Sequence, residues 1–116
     1  MTSMTFNDLT SLKQAQQIVD QWIMATGQGY FSPLTNMAML TEETGEVAHI
    51  IARRYGDQQP KASDNISHEA LADELADLLW VTLAIANQTG VDLTQALARN
   101  LDKKTRRDAH RWDSTK

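Results

Sequence analysis

Apolar residues recur at every third or fourth position through four segments of this sequence, and that spacing restricts what the chain can fold into. It is the period of an α-helix with one buried face, and the sequence contains no convincing alternation of the kind a half-buried strand shows. Capping residues and glycines delimit the segments. They predict helices over approximately residues 11–26, 33–55, 67–88 and 92–107. The predicted fold class is all-α, similar to a four-helix bundle.

Length and composition narrow the range of functions. A chain of 116 residues suits one domain with one core, so we expect residues 1–116 to form a single domain. A net charge of −4 argues against a general nucleic-acid partner, and the absence of cysteine excludes disulfides and thiolate metal sites. The sequence shows neither a signal peptide nor an apolar run of the roughly 20 residues that span a membrane. We therefore expect a cytoplasmic protein with no membrane partner.

Two acidic motifs lie inside the predicted helices. The second helix contains Glu42-Glu43-x-x-Glu46 and the third contains Glu74-x-x-Asp77. Residues three apart on a helix are neighbours, so each motif directs two carboxylates to one place. At about 100° per residue, Glu43 and Glu74 fall within the apolar faces, and Glu46 and Asp77 lie toward their edges. Buried carboxylates are normally paired or bound to metal, so the two helices are predicted to share a cation.

The donor set indicates which cation this would be. Four carboxylates without cysteine favour a hard, oxygen-binding ion, Mg²⁺ or Mn²⁺, and Mg²⁺ is commonly shared between carboxylates and substrate phosphates. Seven of the eleven Lys and Arg residues lie from Arg99 onward. Within this tail Lys103 and Arg107, one helical turn apart, are candidate phosphate contacts. A solvated helix end is the equally acceptable alternative, since cations are favoured near a helix C-terminus.

Two other functions are compatible with the same residues. Glu46 and His49 form a Glu-x-x-His element of the kind found in di-iron helix bundles, although such bundles need a second copy on another helix. The third predicted helix offers Glu74 and Asp77 instead, so this alternative is the weaker one. A non-catalytic helical module that binds a nucleotide or a protein partner is the other alternative.

The paired acidic motifs resemble the signature of the MazG-like nucleotide pyrophosphohydrolases, which belong to the all-α NTP pyrophosphatase superfamily. The likeness extends over most of the chain, and its flanking segments resemble those of the small, single-domain bacterial branch. These segments are Gly29-Tyr30-Phe31-Ser32-Pro33-Leu34, the stretch with Arg53, Tyr55 and Gly56, and the ending with Lys103, Arg107, Asp108, Arg111 and Trp112.

This resemblance implies an activity and a role for each motif residue. The implied reaction is hydrolysis of a nucleoside triphosphate, often a deoxynucleotide, to the monophosphate and pyrophosphate. Carried over residue by residue, Glu43, Glu46, Glu74 and Asp77 become Mg²⁺ ligands, and Glu42 supports the ligands or orients the attacking water. Lys103 and Arg107 become contacts to the triphosphate. The resemblance also implies a homodimer or homotetramer in which a neighbouring subunit completes each site.

Aromatic residues are the candidates for stacking the nucleobase, since every base has an aromatic face. For each of them, packing in the core or at an interface is the competing role. The candidates are Trp22, Tyr30, Phe31, Tyr55 and Trp80.

Overall fold

The computed structural model describes residues 5–109 and residue 111, and in this part of the chain all regular secondary structure is helical. The four helices are α1 (Leu12–Ala25), α2 (Pro33–Arg54), α3 (His68–Thr89) and α4 (Leu93–Asp108). Each end lies within one residue of its predicted position. The all-α fold expected from the apolar periodicity is therefore the fold observed.

Side chains at the predicted capping positions begin each helix. Ser11 and Gln14 form a reciprocal capping box on α1, in which each side chain accepts a backbone N–H of the other residue. Ser32 caps α2 and is followed by Pro33 at the first helical position. Ser67 caps α3 and Asp92 caps α4, each by accepting backbone N–H groups of the first turn.

Helix α3 is the centre of the molecule, because α1 and α2 both pack along it. Its residues Leu83 and Ala84 are buried together with Val19 and Ile23 of α1. Helix α2 runs antiparallel to α3, since Asn36 near its start contacts Gln88 near the end of α3. This pairing brings the middle of α2 beside the middle of α3, where the two acidic motifs lie.

The turn from α3 to α4 is held by one side chain of α1. The amide nitrogen of Gln16 donates to the side-chain oxygen of Asn87 and to the carbonyl of Val91, at 3.1 and 2.9 Å. The amide oxygen of Gln16 accepts the backbone N–H of Leu93 at 3.0 Å. Because all of these polar groups are satisfied, the direction in which α4 leaves α3 is fixed by hydrogen bonds.

Helix α4 packs only against α1 to a substantial extent, and none of its residues is buried. The radius of gyration is 18.0 Å, whereas about 13 Å is expected for a compact chain near this length. Several large apolar side chains are consequently bare, including Leu34, which is 82% exposed, and Leu101, which is 68% exposed. A single copy of the chain therefore leaves part of the apolar surface of its helices uncovered.

In the part of the chain that the structure describes, no helix combines the length and the apolar character needed to cross a bilayer.

Candidate metal centre

Three of the predicted ligands come together between α2 and α3. Glu43, Glu74 and Asp77 each offer a carboxylate oxygen, and these oxygens lie within 4.8 Å of one another. Glu43 and Glu74 are partly buried, as their positions within the apolar faces predicted, and Asp77 is exposed. Glu43 comes from α2, and Glu74 and Asp77 lie one turn apart on the antiparallel helix α3. The three carboxylates therefore converge from two facing helices.

The other two predicted acidic residues lie at the margin of this group. Glu46 is exposed and is not one of the three converging carboxylates. It lies with Glu74 in a polar cavity of about 340 Å³ that also contains His49, Asp64 and Asp73. Glu42 is exposed on α2. The structure therefore assembles Glu43, Glu74 and Asp77, with Glu46 one turn away.

The charges around Glu43 show that the three carboxylates lack a positively charged partner among the described residues. Its pKa is raised above the ordinary value, first because burial removes water from the carboxyl group and next because it shares a hydrogen bond with Glu74. The negative charges of Asp77, Glu74 and Glu46 raise it further. Among the described residues, no Lys, Arg or His forms an ion pair with any of the three carboxylates.

This donor set fits a hard divalent cation. Carboxylate oxygens on two facing helices are the ligands that Mg²⁺ and Mn²⁺ prefer. A cation would relieve the mutual repulsion of these carboxylates, because it favours the ionised form of each neighbouring carboxyl group. Glu43, Glu74 and Asp77 would hold it, with Glu46 placed to contribute.

His49 is engaged elsewhere. Its Nε2 atom lies 3.2 Å from a carboxylate oxygen of Asp64, and the other oxygen of Asp64 lies 3.4 Å from Nε of Arg53. Asp64 also accepts the backbone N–H of Lys61 at 2.8 Å, and that hydrogen bond is the main reason that its pKa is lowered. The di-iron alternative required a histidine beside the carboxylates, and no described histidine belongs to the converging group.

Asp64 is a residue that the sequence analysis missed. It lies between the second and third predicted helices and received no role there, yet it ties the segment between α2 and α3 to the last turns of α2. Its partners His49 and Arg53 are four residues apart on α2, so they lie on one helix face. The four-residue spacing of His49 and Arg53, followed by an aspartate in the next segment, is the only sequence signal for this contact.

Lys103 and Arg107 do not meet the carboxylates within one copy of the chain. Both are exposed on α4, which packs on α1, whereas the carboxylates lie between α2 and α3. Arg107 instead pairs with the adjacent Asp108 at 3.1 Å, and this raises the Arg107 pKa. His110, Trp112 and Lys116 of the basic tail lie outside the described residues.

An apolar pocket of about 390 Å³ lies one helical turn from the carboxylates. Four of the five predicted base-stacking residues, Trp22, Tyr30, Phe31 and Trp80, line it, and Tyr55 lies elsewhere at the end of α2. Trp22 and Trp80 meet edge to face with ring centroids 5.4 Å apart. Met39 lies four residues before Glu43 and Trp80 three residues after Asp77, so the pocket directly adjoins the acidic group.

A larger, wide groove of about 720 Å³ lies between α1 and the end of α3. None of the predicted site residues lines it, and Gln16 and Asn87, which form part of its wall, are hydrogen-bonded to each other. The chemistry that the sequence predicts is therefore concentrated at the smaller pocket and the carboxylates beside it.

The fold and these carboxylates define a class of all-α proteins in which two antiparallel helices share an acidic centre. Residues 31–112 match the family model of the MazG nucleotide pyrophosphohydrolase domain. The chain belongs to this family, as its paired acidic motifs predicted.

Known relatives agree in both sequence and fold. YpjD of Bacillus subtilis strain 168 is 38% identical over 102 residues, which cover 88% of this chain and 90% of that protein. The crystal structure of B. subtilis YpjD, described as a candidate pyrophosphatase, superposes with a TM-score of 0.73 at 36% identity, covering 88% of this chain and 100% of that one. A MazG protein conserved in Bacillus, a nucleotide pyrophosphohydrolase, gives a TM-score of 0.70 at 34% identity, covering 84% and 92%.

Proposed function

We propose that this protein hydrolyses nucleoside triphosphates, including deoxynucleotides, to the monophosphate and pyrophosphate in a reaction that depends on Mg²⁺, with Mn²⁺ as a possible substitute. The observation that supports this most is the convergence of Glu43, Glu74 and Asp77 within 4.8 Å beside an apolar pocket. Membership of the MazG family supports the same reaction class.

In the proposed reaction a water oxygen attacks the α-phosphorus, and the bond from that phosphorus to the α–β bridging oxygen breaks. Pyrophosphate leaves with the bridging oxygen, and the water proton passes to a nearby carboxylate, for which Glu42 is the proposed residue. When bound, Mg²⁺ supplies positive charge to the phosphate oxygens and makes the attacking water more acidic. Glu43, Glu74 and Asp77, with Glu46, are the proposed ligands.

The proposal extends to the assembly and the cellular role. Helix α4 leaves Leu97 and Leu101 bare, 57% and 68% exposed, and a second copy of the chain is the proposed partner for this apolar stripe. A homodimer or homotetramer of this kind would allow Lys103 and Arg107 to reach the phosphates of a neighbouring site. The proposed role is removal of unwanted nucleotides from the cytoplasmic pool by a single domain spanning residues 1–116.

The direct test is pyrophosphate release from a panel of ribo- and deoxynucleoside triphosphates, in Mg²⁺ and in Mn²⁺. We expect Glu43→Gln to lower kcat at least a hundredfold while its circular dichroism stays native, because the ligands act as a unit. Glu69→Gln is the matched control, since Glu69 is an exposed acid in the first turn of α3. Nucleotide binding without release of pyrophosphate, measured by calorimetry, would instead support the non-catalytic module.

A further inference from the structure

The apolar pocket contains one buried polar side chain, that of Asn36. Asn36 is 5% exposed and is the only polar or charged residue in the buried class among those the structure describes. It lies on α2 and lines the pocket together with Trp22, Trp80 and Met39. Burying an amide in apolar surroundings is unfavourable unless its hydrogen bonds are made, so the bonds of Asn36 indicate what the pocket accommodates.

Hydrogen bonds fix which end of the Asn36 amide faces which way. The carbonyl oxygen of Phe31 can only accept, and the amide nitrogen of Gln88 donates to it at 2.9 Å. This sets the orientation of Gln88 and leaves its Oε1 atom to accept from Nδ2 of Asn36 at 2.8 Å. Because the Phe31 carbonyl anchors the series, both amides have one satisfied orientation.

The carbonyl end of Asn36 is left without a donor. No described residue donates to Oδ1, although Nδ2 is engaged with Gln88 and lies 3.5 Å from the Phe31 carbonyl. Oδ1 retains some solvent exposure, because among the described residues the one fully buried side-chain nitrogen or oxygen without a hydrogen bond is Nε of Arg53. Asn36 therefore brings one carbonyl oxygen without a donor to the otherwise apolar wall of the pocket.

The position of Asn36 relative to the carboxylates matches the length of a nucleotide. Asn36 precedes Glu43 by seven residues, which is two helical turns, so both lie on the same face of α2 about 10 Å apart along the helix axis. A nucleotide whose phosphates lie at the carboxylates and whose base enters the pocket would point the far edge of the base toward Asn36. That edge bears the exocyclic group at C4 of a pyrimidine or C6 of a purine.

We propose that the pocket holds the nucleobase and that Asn36 selects bases with an exocyclic amine at that edge, cytosine and adenine, over those with a keto oxygen there. This inference rests on the proposed function and specifies the substrate class of the same site. An amine donates to Oδ1 of Asn36, whereas a keto oxygen in its place meets a second acceptor and leaves both without a hydrogen. A site built around a hydrogen bond discriminates more strongly than an apolar pocket that reads size alone.

Matched nucleotide pairs provide the test, because CTP and UTP, or ATP and ITP, differ chiefly in amine against keto at the edge that faces Asn36. We expect kcat/KM to favour the amine member of each pair by about tenfold or more, the value of one neutral hydrogen bond together with the avoided unpaired acceptor. Calorimetric titration with CMP against UMP gives the same comparison without turnover. Equal values for amine and keto members in both assays would overturn the proposal.

Two variants separate selection by Asn36 from a structural role. Asn36→Leu keeps the volume of the side chain but removes the acceptor, and we expect the ratio of kcat/KM between the amine and keto members of each pair to fall to about unity. Gln88→Met leaves Asn36 in place but removes the acceptor that orients it. The amide can then turn and present Nδ2 to the pocket, so we expect the preference to fall or reverse in this variant.

Gln17→Leu, on the exposed side of α1 and in the separate groove, is the control that should keep the wild-type preference. If Asn36→Leu does not fold, the Gln88→Met variant still decides, because an unchanged amine preference there contradicts the proposal. The two hypotheses fail differently. Turnover without an amine preference would contradict the proposed role of Asn36 and support the hydrolase. An amine preference in CMP binding without any turnover would contradict the hydrolase and support the assignment of the pocket to the base.

Discussion

Glu43 on α2 and Asp77 on α3 face each other across the antiparallel helix pair, with carboxylate oxygens no more than 4.8 Å apart. Two like charges at this separation oppose each other, and Glu74 adds a third acid to the same space. Without a bound cation, the repulsion among these carboxylates therefore lowers the stability of the folded protein, as is common at functional sites.

The first prediction concerns the stability of the metal-free protein. The pKa of Glu43 is raised in the fold by burial and by its acidic neighbours. Its contribution to stability is thus fully present below the ordinary glutamate value and is lost as the pH rises through the raised pKa. We expect Glu43→Gln to have the higher Tm at neutral pH in the presence of a chelator. The difference should disappear in acid, and a variant less stable than wild type at neutral pH would contradict this account.

The second prediction is that Mg²⁺ reverses this order. A ligand that binds only the folded state at a hundred times its Kd adds about 2.7 kcal/mol to the free energy of unfolding. Wild-type protein should therefore gain thermal stability as Mg²⁺ is titrated, whereas Glu43→Gln should gain little. The measurement is Tm against Mg²⁺ concentration, with Glu69→Gln as the control that should follow wild type.

The third prediction concerns Tyr30, whose hydroxyl donates to Asp20 at 2.6 Å. Burial first, and the hydrogen bond to Asp20 next, raise the pKa of Tyr30 to about 12. Stability from this contact is present below the ordinary tyrosine value of 10.0 and is lost as the pH rises through about 12. Ultraviolet titration should show a phenol ionising near that pH. Tyr30→Phe should remove it, and Asp20→Asn should lower its pKa only in part because burial remains.

The fourth prediction concerns the segment between α2 and α3. Asp64, whose side chain is 14% exposed, holds this segment through Lys61, His49 and Arg53. Its pKa is lowered, so its contribution is present above the ordinary aspartate value of 3.8 and is lost as the pH falls through the lowered pKa. We expect Asp64→Asn to speed amide hydrogen exchange and protease cleavage across residues 56–67 at neutral pH.

Asp57→Asn is the matched control for this fourth experiment, since Asp57 is an exposed acid in the same segment. Equal exchange rates in wild type and Asp64→Asn would show that the contacts of Asp64 do not hold the loop.

The fifth prediction concerns the bare stripe of α4. Leu101 is 68% exposed in the single chain, so Leu101→Glu should cost little stability in a monomer but should place a charge inside an interface. Light scattering coupled to size exclusion should show an oligomer for wild type and a smaller species for the variant. Leu9→Glu, at a leucine near the N-terminus that is 89% exposed, is the control that should not change the mass.

Local chemistry allowed much of the fold to be predicted from sequence. The caps Ser32, Ser67 and Asp92 each act within three residues, so the helix ends are encoded where they occur. Helical periodicity likewise predicted that Glu43 and Glu74 lie on inward faces, and both are partly buried.

Long-range partners could not be predicted in this way. The buried amide of Asn36 donates to Gln88, 52 residues later, and no local pattern encodes that pairing. The contacts of Asp64 could not be predicted either, because its partners lie on the preceding helix and not in its own segment. The apolar stripe of α4 shows the same limit, because amphipathicity indicates that a helix has an apolar face but does not specify what packs against it.

The three hydrogen bonds that Gln16 makes to Asn87, Val91 and Leu93 have a consequence for how such a protein can diverge. They set the angle at which α4 projects, yet Gln16 touches neither the carboxylates nor the aromatic pocket. A single substitution there would redirect α4 and every contact it makes while leaving the acidic centre unaltered. The direction of α4 and the arrangement of the three carboxylates can therefore diverge separately in this scaffold, one governed from α1 and the other from the α2–α3 pair.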